Sequence, residues 1–262
     1  MNKHNLARMR ALVGRPRART LRADATVEEV LLYDPIGGWS GITGEEFADR
    51  IKNVRSKKLL LKINSPGGDV FEARTMVSAI RDYQRNGGHV TARITGLAAS
   101  AATFVAISAD EVEMEEGTFF MIHNSWGITI GNASEHEYTA RLLRKVDETI
   151  LNDYVKKTGL EKDVIQKWME EETWFTAEEA EKYGFVDRVL SEEEDEEETV
   201  DNEEEGEEEE IGNKWDLSIF KNAPKSFEKS PKNRNQSQNK VVRTDALVAE
   251  NARKLKMIEL LG

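Results

Sequence analysis

The chain contains only four histidines, His4, His89, His123 and His136, and no cysteine. Thiolate catalysis, disulfides and cysteine-based zinc sites are therefore excluded. His123 closes the apolar run Thr118-Phe-Phe-Met-Ile-His123 and is followed by Asn124-Ser125, which places its ring where a strand runs out at a sheet edge. A histidine after a strand is more often structural than catalytic, so what faces it decides its role. Ser100 lies in Gly96-Leu-Ala-Ala-Ser-Ala-Ala102, a turn of small residues between a strand and a short apolar helix. Small side chains admit a substrate backbone, and a serine at a helix N-terminus has free N–H groups beside it. Such donors can hold a tetrahedral oxyanion, at about 3 kcal/mol each. An ordinary helix-capping serine is the plain alternative. The segment also departs from the Gly-x-Ser-x-Gly elbow, which disfavours an α/β-hydrolase. Asn64-Ser-Pro-Gly-Gly68 adds two glycines whose N–H groups are unshielded, suited to an oxyanion or an extended peptide, although a glycine turn for steric reasons reads the same way.

These residues need a frame, and the stretch from about residue 23 to 190 alternates strand and helix patterns. Val27 to Tyr33 ends in a strand-like run, and Thr43 to Ile51 has an N-cap, early acids and helical apolar spacing. Lys58–Ile63 reads as a buried strand. Val70–Arg85 reads as a helix with Phe71, Met76, Val77, Ile80 and Tyr83 available for a buried stripe. His89–Ile94 is the next strand, and Ala101–Ser108 a short helix. Glu111–Met114 and Thr118–His123 are two further strands. Repeated strand–helix–strand units predict an α/β fold with a largely parallel sheet. Beyond the glycine-flanked stretch Gly127 to Gly131 a long helix is expected from about Ser134 to Lys157, stopped by Gly159. Its rows Tyr138, Leu142, Val146, Ile150, Tyr154 and Leu143, Leu151, Val155 fit either one core or a core plus an interface between copies.

The rest of the chain has a different composition. Residues 1–22 form a basic tail. Between Glu192 and Glu210 stand fifteen carboxylates and no Lys or Arg; without them the formal net charge moves from −12 to +3. The acidity therefore belongs to one segment, 191–210, which is expected to stay a disordered linker. Residues 211–262 read as a C-terminal tail, with a small apolar cluster (Trp215, Leu217, Ile219, Phe220) and a short amphipathic helix on a tether near Thr244–Leu261. No run of about 18 apolar residues is present, so no membrane span is expected. The basic tails lack aromatic interleaving, so nucleic acid is not an expected partner. The domain of 23–190 is large enough to bury its own core, at roughly 150–200 residues.

The order Ser-Pro-Gly-Gly, then Gly-x-Ala-Ala-Ser-x-Ala, then Met-Ile-His resembles the Clp peptidase proteolytic subunit family across roughly Val30–Leu190. Asn124-Ser-Trp-Gly127 and Glu172-Thr-Trp-Phe-Thr-Ala-Glu-Glu-Ala180 with Gly184-Phe-Val-Asp187 are similar to its bacteriophage head-maturation branch. The resemblance implies a Clp/crotonase-like fold of repeated β-β-α spiral units with a projecting handle helix. It implies Ser100 as nucleophile, His123 as general base, and Gly68 and Ala101 as donors of the oxyanion N–H groups. The family's aspartate position falls on Glu172 in an ungapped count, and a one-residue shift makes Thr173 the third member instead. Glu170 and Glu171 read as solvated helix charges. No cofactor or metal is implied.

The function expected from this resemblance is a serine endopeptidase that cleaves capsid or scaffold polypeptides, working as a homo-oligomeric ring in the host cytoplasm and inside the assembling prohead. In the family an extended segment matching Gly127 to Gly131 lines the substrate groove. Alternatives are a bacterial Clp-type subunit served by an AAA+ unfoldase, a crotonase-type acyl-CoA enzyme, and a non-catalytic scaffold-like assembly protein, whose C-terminal part could also be a substrate for self-cleavage.

Overall fold

A computed structural model describes residues 27–38, 41–191, 217 and 220–224. The basic tail, the acidic run 192–210, the amphipathic segment near 244–261, Trp215 and Ile219 lie outside the described residues. The described elements in chain order are β1 (Glu28–Leu32), α1 (Gly44–Lys52), β2 (Lys58–Ser65), α2 (Val70–Arg85), β3 (His89–Ala99), α3 (Ala101–Ala106) and β4 (Glu111–Glu115). They continue with β5 (Phe119–Ile122), α4 (Ala133–Thr158), α5 (Lys162–Glu170), β6 (Thr173–Thr176), α6 (Ala177–Lys182) and β7 (Arg188–Leu190). The fold is mixed α/β on a parallel sheet, as the Clp-like resemblance implies. Its main path runs β1-β2-β3-β4-β7, all parallel, while β5 pairs parallel with β3 and antiparallel with β6.

Strand β3 makes that branching possible. Its first part, Thr91–Ile94, pairs with β4, and its last part, Leu97–Ala99, pairs with β5. Between them lies Gly96, where a Cβ would come within 2.8 Å of Asn64 Oδ1. The β2–β3 register slips at the same level, from Ile63↔Ile94 to Ser65↔Ala98. The Gly96–Ser100 stretch is thus not a turn, as its composition suggests, but a continued strand running to Ala99. Glycine and alanine carry little strand propensity, and it is pairing on both sides that holds them extended.

The helices begin where their caps place them. Thr43 and Glu46 form a reciprocal capping box on α1, which buries Phe47 and Ile51. Asp69 accepts the N–H groups of Phe71 and Glu72 at the start of α2. That helix buries Ala73, Met76, Val77 and Ile80. Phe71, expected in this stripe, is 65% exposed. At 3.6 residues per turn it stands about half a turn round from Ala73, on the opposite face. Tyr83 flanks the buried stripe and donates its hydroxyl to the Ser56 carbonyl (2.7 Å).

Helix α4 starts on an Asn132–Glu135 capping box and ends at Gly159, which adopts the left-handed φ of 71°. At 26 residues it is about 39 Å long. Only its second half docks: Ile150, Leu151 and Tyr154 are buried, while Tyr138 is 65% and Leu142 42% exposed. Arg74 anchors the docked half from α2, pairing with Asp153 and donating to Thr149 (3.2 Å). The two apolar rows therefore share the core at the C-terminal end and leave it at the N-terminal end.

On the outer side of the sheet, Glu113 is buried between Arg93 (2.9 Å) and Arg188. A buried carboxylate is costly when a partner is removed, and much less so when the group is replaced as a whole. Arg93→Met should lower stability by about 3 kcal/mol, and the double change Arg93→Met/Glu113→Leu should recover most of that loss, as read from urea unfolding midpoints.

Candidate active site

The parallel β3–β5 register sets Ala99 opposite Met121. One residue beyond Ala99 is Ser100, and two beyond Met121 is His123, so both emerge at the C-terminal edge of neighbouring parallel strands. That edge is where open α/β sheets commonly place their sites. The Ser100 N–H donates to the Met121 carbonyl (2.9 Å), tying the two strand ends together. His123 Nε2 then lies 2.7 Å from Ser100 Oγ.

Ser100 occupies the N-cap position of α3, yet its side chain makes no capping bond. The plain capping reading of this serine does not hold. Its backbone sits at φ 54°, ψ −123°, a conformation that non-glycine residues rarely adopt. Such a backbone costs of order 1–3 kcal/mol and persists only where the surroundings over-determine it. Here the constraint comes from both sides. The Ser100 N–H is held by Met121, and the Ser100 carbonyl accepts the Thr103 N–H (3.0 Å) and hydroxyl (2.5 Å). Because Thr103 gives its proton to Ser100, the buried Tyr154 hydroxyl donates to Thr103. Tyr154 is fully enclosed, and burial pushes its hydroxyl well above the ordinary tyrosine pKa, so it stays a neutral donor.

The glycine pair closes against this turn. Ile36 donates to Gly67 O and accepts from Asp69 N–H (2.8 and 2.9 Å), forming a parallel bridge to Gly68. In such a bridge the N–H of Gly68 points away from Ile36. Gly68 takes φ 147°, and a Cβ there would stand 2.1 Å from Ile36 O. A Cβ on Gly67 would come within 2.7 Å of Ala101 N and 2.9 Å of Ser100 Cβ. Any side chain at either position would therefore break the close approach. Neither Gly68 N–H nor Ala101 N–H donates to a protein acceptor among the described residues.

Burial lowers the His123 pKa below its ordinary value of 6.5, and the nearby charges of Glu172 and Asp147 oppose that shift in part. Burial prevails, so the imidazole is held neutral near pH 7 and able to accept a proton. Glu172 sits just past α5 with φ 52°. Its Oε1 accepts the backbone N–H of Asn222 (2.7 Å) and the Trp174 indole N–H (3.4 Å). Among the described residues no hydrogen bond joins it to His123. Thr173 directs its hydroxyl to the Trp168 carbonyl (2.8 Å) and not to the imidazole. Glu170 and Glu171 are exposed, with Gln166 and Lys167 as neighbours.

Asp147 has no counterpart in the sequence reading. It lies on α4 and accepts both the N–H and hydroxyl of Ser125 (2.6 Å each), fixing the chain just past His123. Only the Ser125 after the histidine hints at it, since 22 residues, including about four turns of α4, separate the partners. His89 is exposed and lies 3.7 Å from Asp110, and His136 is exposed. No group of three His, Cys, Asp or Glu residues able to hold a metal ion occurs among the described residues.

A serine hydroxyl on a neutral imidazole, beside two unengaged N–H groups, is the apparatus of nucleophilic acyl transfer. The family comparison agrees. The profile of the Clp protease family matches residues 51–193. Among similar proteins are the ATP-dependent Clp protease proteolytic subunit 1 of Chlamydia abortus, 29% identical over 160 residues (57% of this chain, 82% of that protein), and that of Protochlamydia amoebophila, 31% identical over 147 residues (55% and 70%). The Chlamydia muridarum subunit 1 is 32% identical over 160 residues (57% and 82%). The chain belongs to the Clp protease family and is a serine-type peptidase.

Two measurements follow from this geometry. NMR titration of His123 should give a midpoint below 6.5, because burial disfavours the imidazolium. Glu172→Gln or Asp147→Asn should move it lower still, since each removes a charge that stabilises the imidazolium. Thr103→Val should strand the Tyr154 hydroxyl and take the side-chain donor from the Ser100 carbonyl, which keeps the N–H of residue 103, costing about 1–3 kcal/mol in urea unfolding.

Proposed function

We propose that the chain is an endopeptidase in which Ser100 is the nucleophile, His123 the general base and Glu172 the carboxylate that stabilises the imidazolium. The observation that carries this reading is the 2.7 Å contact of His123 Nε2 with Ser100 Oγ, made from a serine whose backbone is held at positive φ. His123 takes the Ser100 proton as Oγ attacks the scissile carbonyl. The oxyanion is received by the Gly68 and Ala101 N–H groups. The imidazolium then returns the proton to the leaving amine, and water releases the acyl group by the same route. Thr173, with its hydroxyl on Trp168, is the weaker candidate for the third position.

The substrates we assign are capsid or scaffold polypeptides in an assembling phage head. The Asn124-Ser-Trp-Gly127 and Glu172–Asp187 motifs support that assignment by their resemblance to the head-maturation branch. A homo-oligomeric ring is part of the same proposal. Exposed Ile128 and Ile130 (85% each), with Tyr138 and Leu142 on the undocked half of α4, supply apolar surface for subunit contact and for an extended substrate. A second reading, a proteolytic subunit working with an AAA+ unfoldase, is favoured by the names of the relatives, each an ATP-dependent Clp protease proteolytic subunit.

Ser100→Ala should lower peptide hydrolysis by more than about a thousandfold and abolish fluorophosphonate labelling, which in the wild type should map to Ser100. Retained hydrolysis in the variant, with no label at Ser100 in the wild type, would reject the mechanism. Expression with the capsid and scaffold proteins of the same assembly should give trimmed products only with wild-type enzyme. Co-purification of an AAA+ ATPase, with cleavage that depends on ATP, would favour the second reading. Intact masses of wild type and Ser100→Ala should differ if the chain also processes itself; equal masses together with inert substrates would leave the scaffold-like alternative.

A further inference from the structure

Beyond the acidic run, Leu217 and residues 220–224 lie against the catalytic edge. Leu217 and Phe220 are buried (5% and 7% exposed), packed against Leu97, Ala99, Met121, Phe119 and Trp174. The Phe220 ring stands edge-on to the His123 imidazole, with centroids 5.6 Å apart, and edge-on to Trp174 at 5.7 Å. A turn bond from Phe220 N–H to Leu217 O (3.0 Å) keeps the two apolar side chains together. Two residues on, the Asn222 N–H occupies Glu172 Oε1 (2.7 Å), and its side-chain amide donates to the Glu171 carbonyl (2.7 Å).

One short segment therefore touches the base and occupies Glu172, one of the two carboxylates whose charge acts on it. Twenty-six residues separate Leu190 from Leu217. Because it belongs to the same chain, the segment meets the site intramolecularly, without the cost of a bimolecular encounter. A modest intrinsic affinity is then enough to keep it seated.

We propose that the segment carrying Leu217 and residues 220–224 is an intramolecular occupant of the substrate cleft, which it closes until a polypeptide carrying a bulky apolar or aromatic side chain displaces it. The inference rests on the Ser100–His123 reading above. The segment supplies what a substrate would: an apolar pair in the cleft formed by β3, β5 and β6, an aromatic edge over the imidazole, and a main-chain N–H for an acceptor beside the base. While it is seated, Glu172 is drawn onto Asn222 and His123 is shielded from water. The groups that face His123 are Ser100, Glu172 and Asp147, together with the Phe220 ring.

The test uses the full chain with Leu217→Ala/Phe220→Ala, and separately Asn222→Pro, which keeps the apolar contacts but removes the N–H. If nine-tenths of molecules are closed, opening the cleft should raise kcat/KM on a short peptide substrate about tenfold, chiefly through KM, with fluorophosphonate labelling of Ser100 faster to match. A synthetic peptide spanning residues 214–225, added at millimolar concentration, should slow the double variant competitively. Unchanged or lower kcat/KM in both variants, with native circular dichroism, would overturn the proposal. So would failure of the peptide to compete. If neither wild type nor variants react at Ser100, the catalytic reading itself has failed. The occupant is then still decided by NMR: the His123 midpoint should rise in the double variant as burial is relieved, and an unmoved midpoint rejects the closure.

Discussion

The site depends on one backbone hydrogen bond, from Ser100 N–H to the Met121 carbonyl. It is the last rung of the β3–β5 ladder, and it joins the strand that ends in the hydroxyl to the strand that ends in the imidazole. Without it the two strand ends could splay, and a 2.7 Å contact between Oγ and Nε2 would depend on two flexible side chains. With it, the remaining freedom is that of two short rotors. At the level of Gly96, where the β2–β3 register slips, β3 passes from pairing with β4 to pairing with β5. A strand with two partners on one side, taken in succession, is thus the architectural requirement for the dyad.

The buried floor carries the cost of that arrangement. A serine at φ 54° is not stable by itself, and the Tyr154–Thr103–Ser100 chain of hydrogen bonds uses the docked half of α4 to hold the turn from below. The same helix places Asp147 on Ser125, just beyond His123. One helix therefore steadies both sides of the Ser100–His123 pair, and its docking through Ile150, Leu151 and Tyr154 links core packing to site geometry. Burial and nearby carboxylates act in opposite directions on His123. The balance leaves an imidazole that is neutral near pH 7, with negative charge close by.

Capped helices and their glycine stop were legible because their signals are local: Thr43 with Glu46, and Gly159 after α4. The meeting of Ser100 and His123 was legible only through the order of three motifs, since each residue alone has a more ordinary interpretation. The extension of β3 to Ala99 was hidden, because glycine and alanine show no alternation and the strand exists by virtue of its neighbours. Phe71 misled because hydrophobicity was counted without its phase on α2; the face set by Ala73, Met76, Val77 and Ile80 excludes it. Asp147 and the Asn222–Glu172 bond span 22 and 50 residues respectively, and nothing in local spacing reports contacts of that range.

The position of Glu172 follows from competition between donors. A carboxylate one methylene longer than aspartate has more reach and more rotamers, so it is easier to draw away from an imidazole. In this structure the Asn222 amide and the Trp174 indole take its Oε1, while the backbone around it is fixed by a left-handed φ at the end of α5. An imidazole that is neutral has little attraction to offer in return. In the proposed mechanism it becomes a cation on taking the Ser100 proton, and the electrostatic pull on Glu172 would then rise where water is excluded. On that proposal Glu172, released from Asn222 when a substrate displaces the segment, would be drawn toward the imidazolium only as charge develops. Such an arrangement would favour the transition state over the resting site.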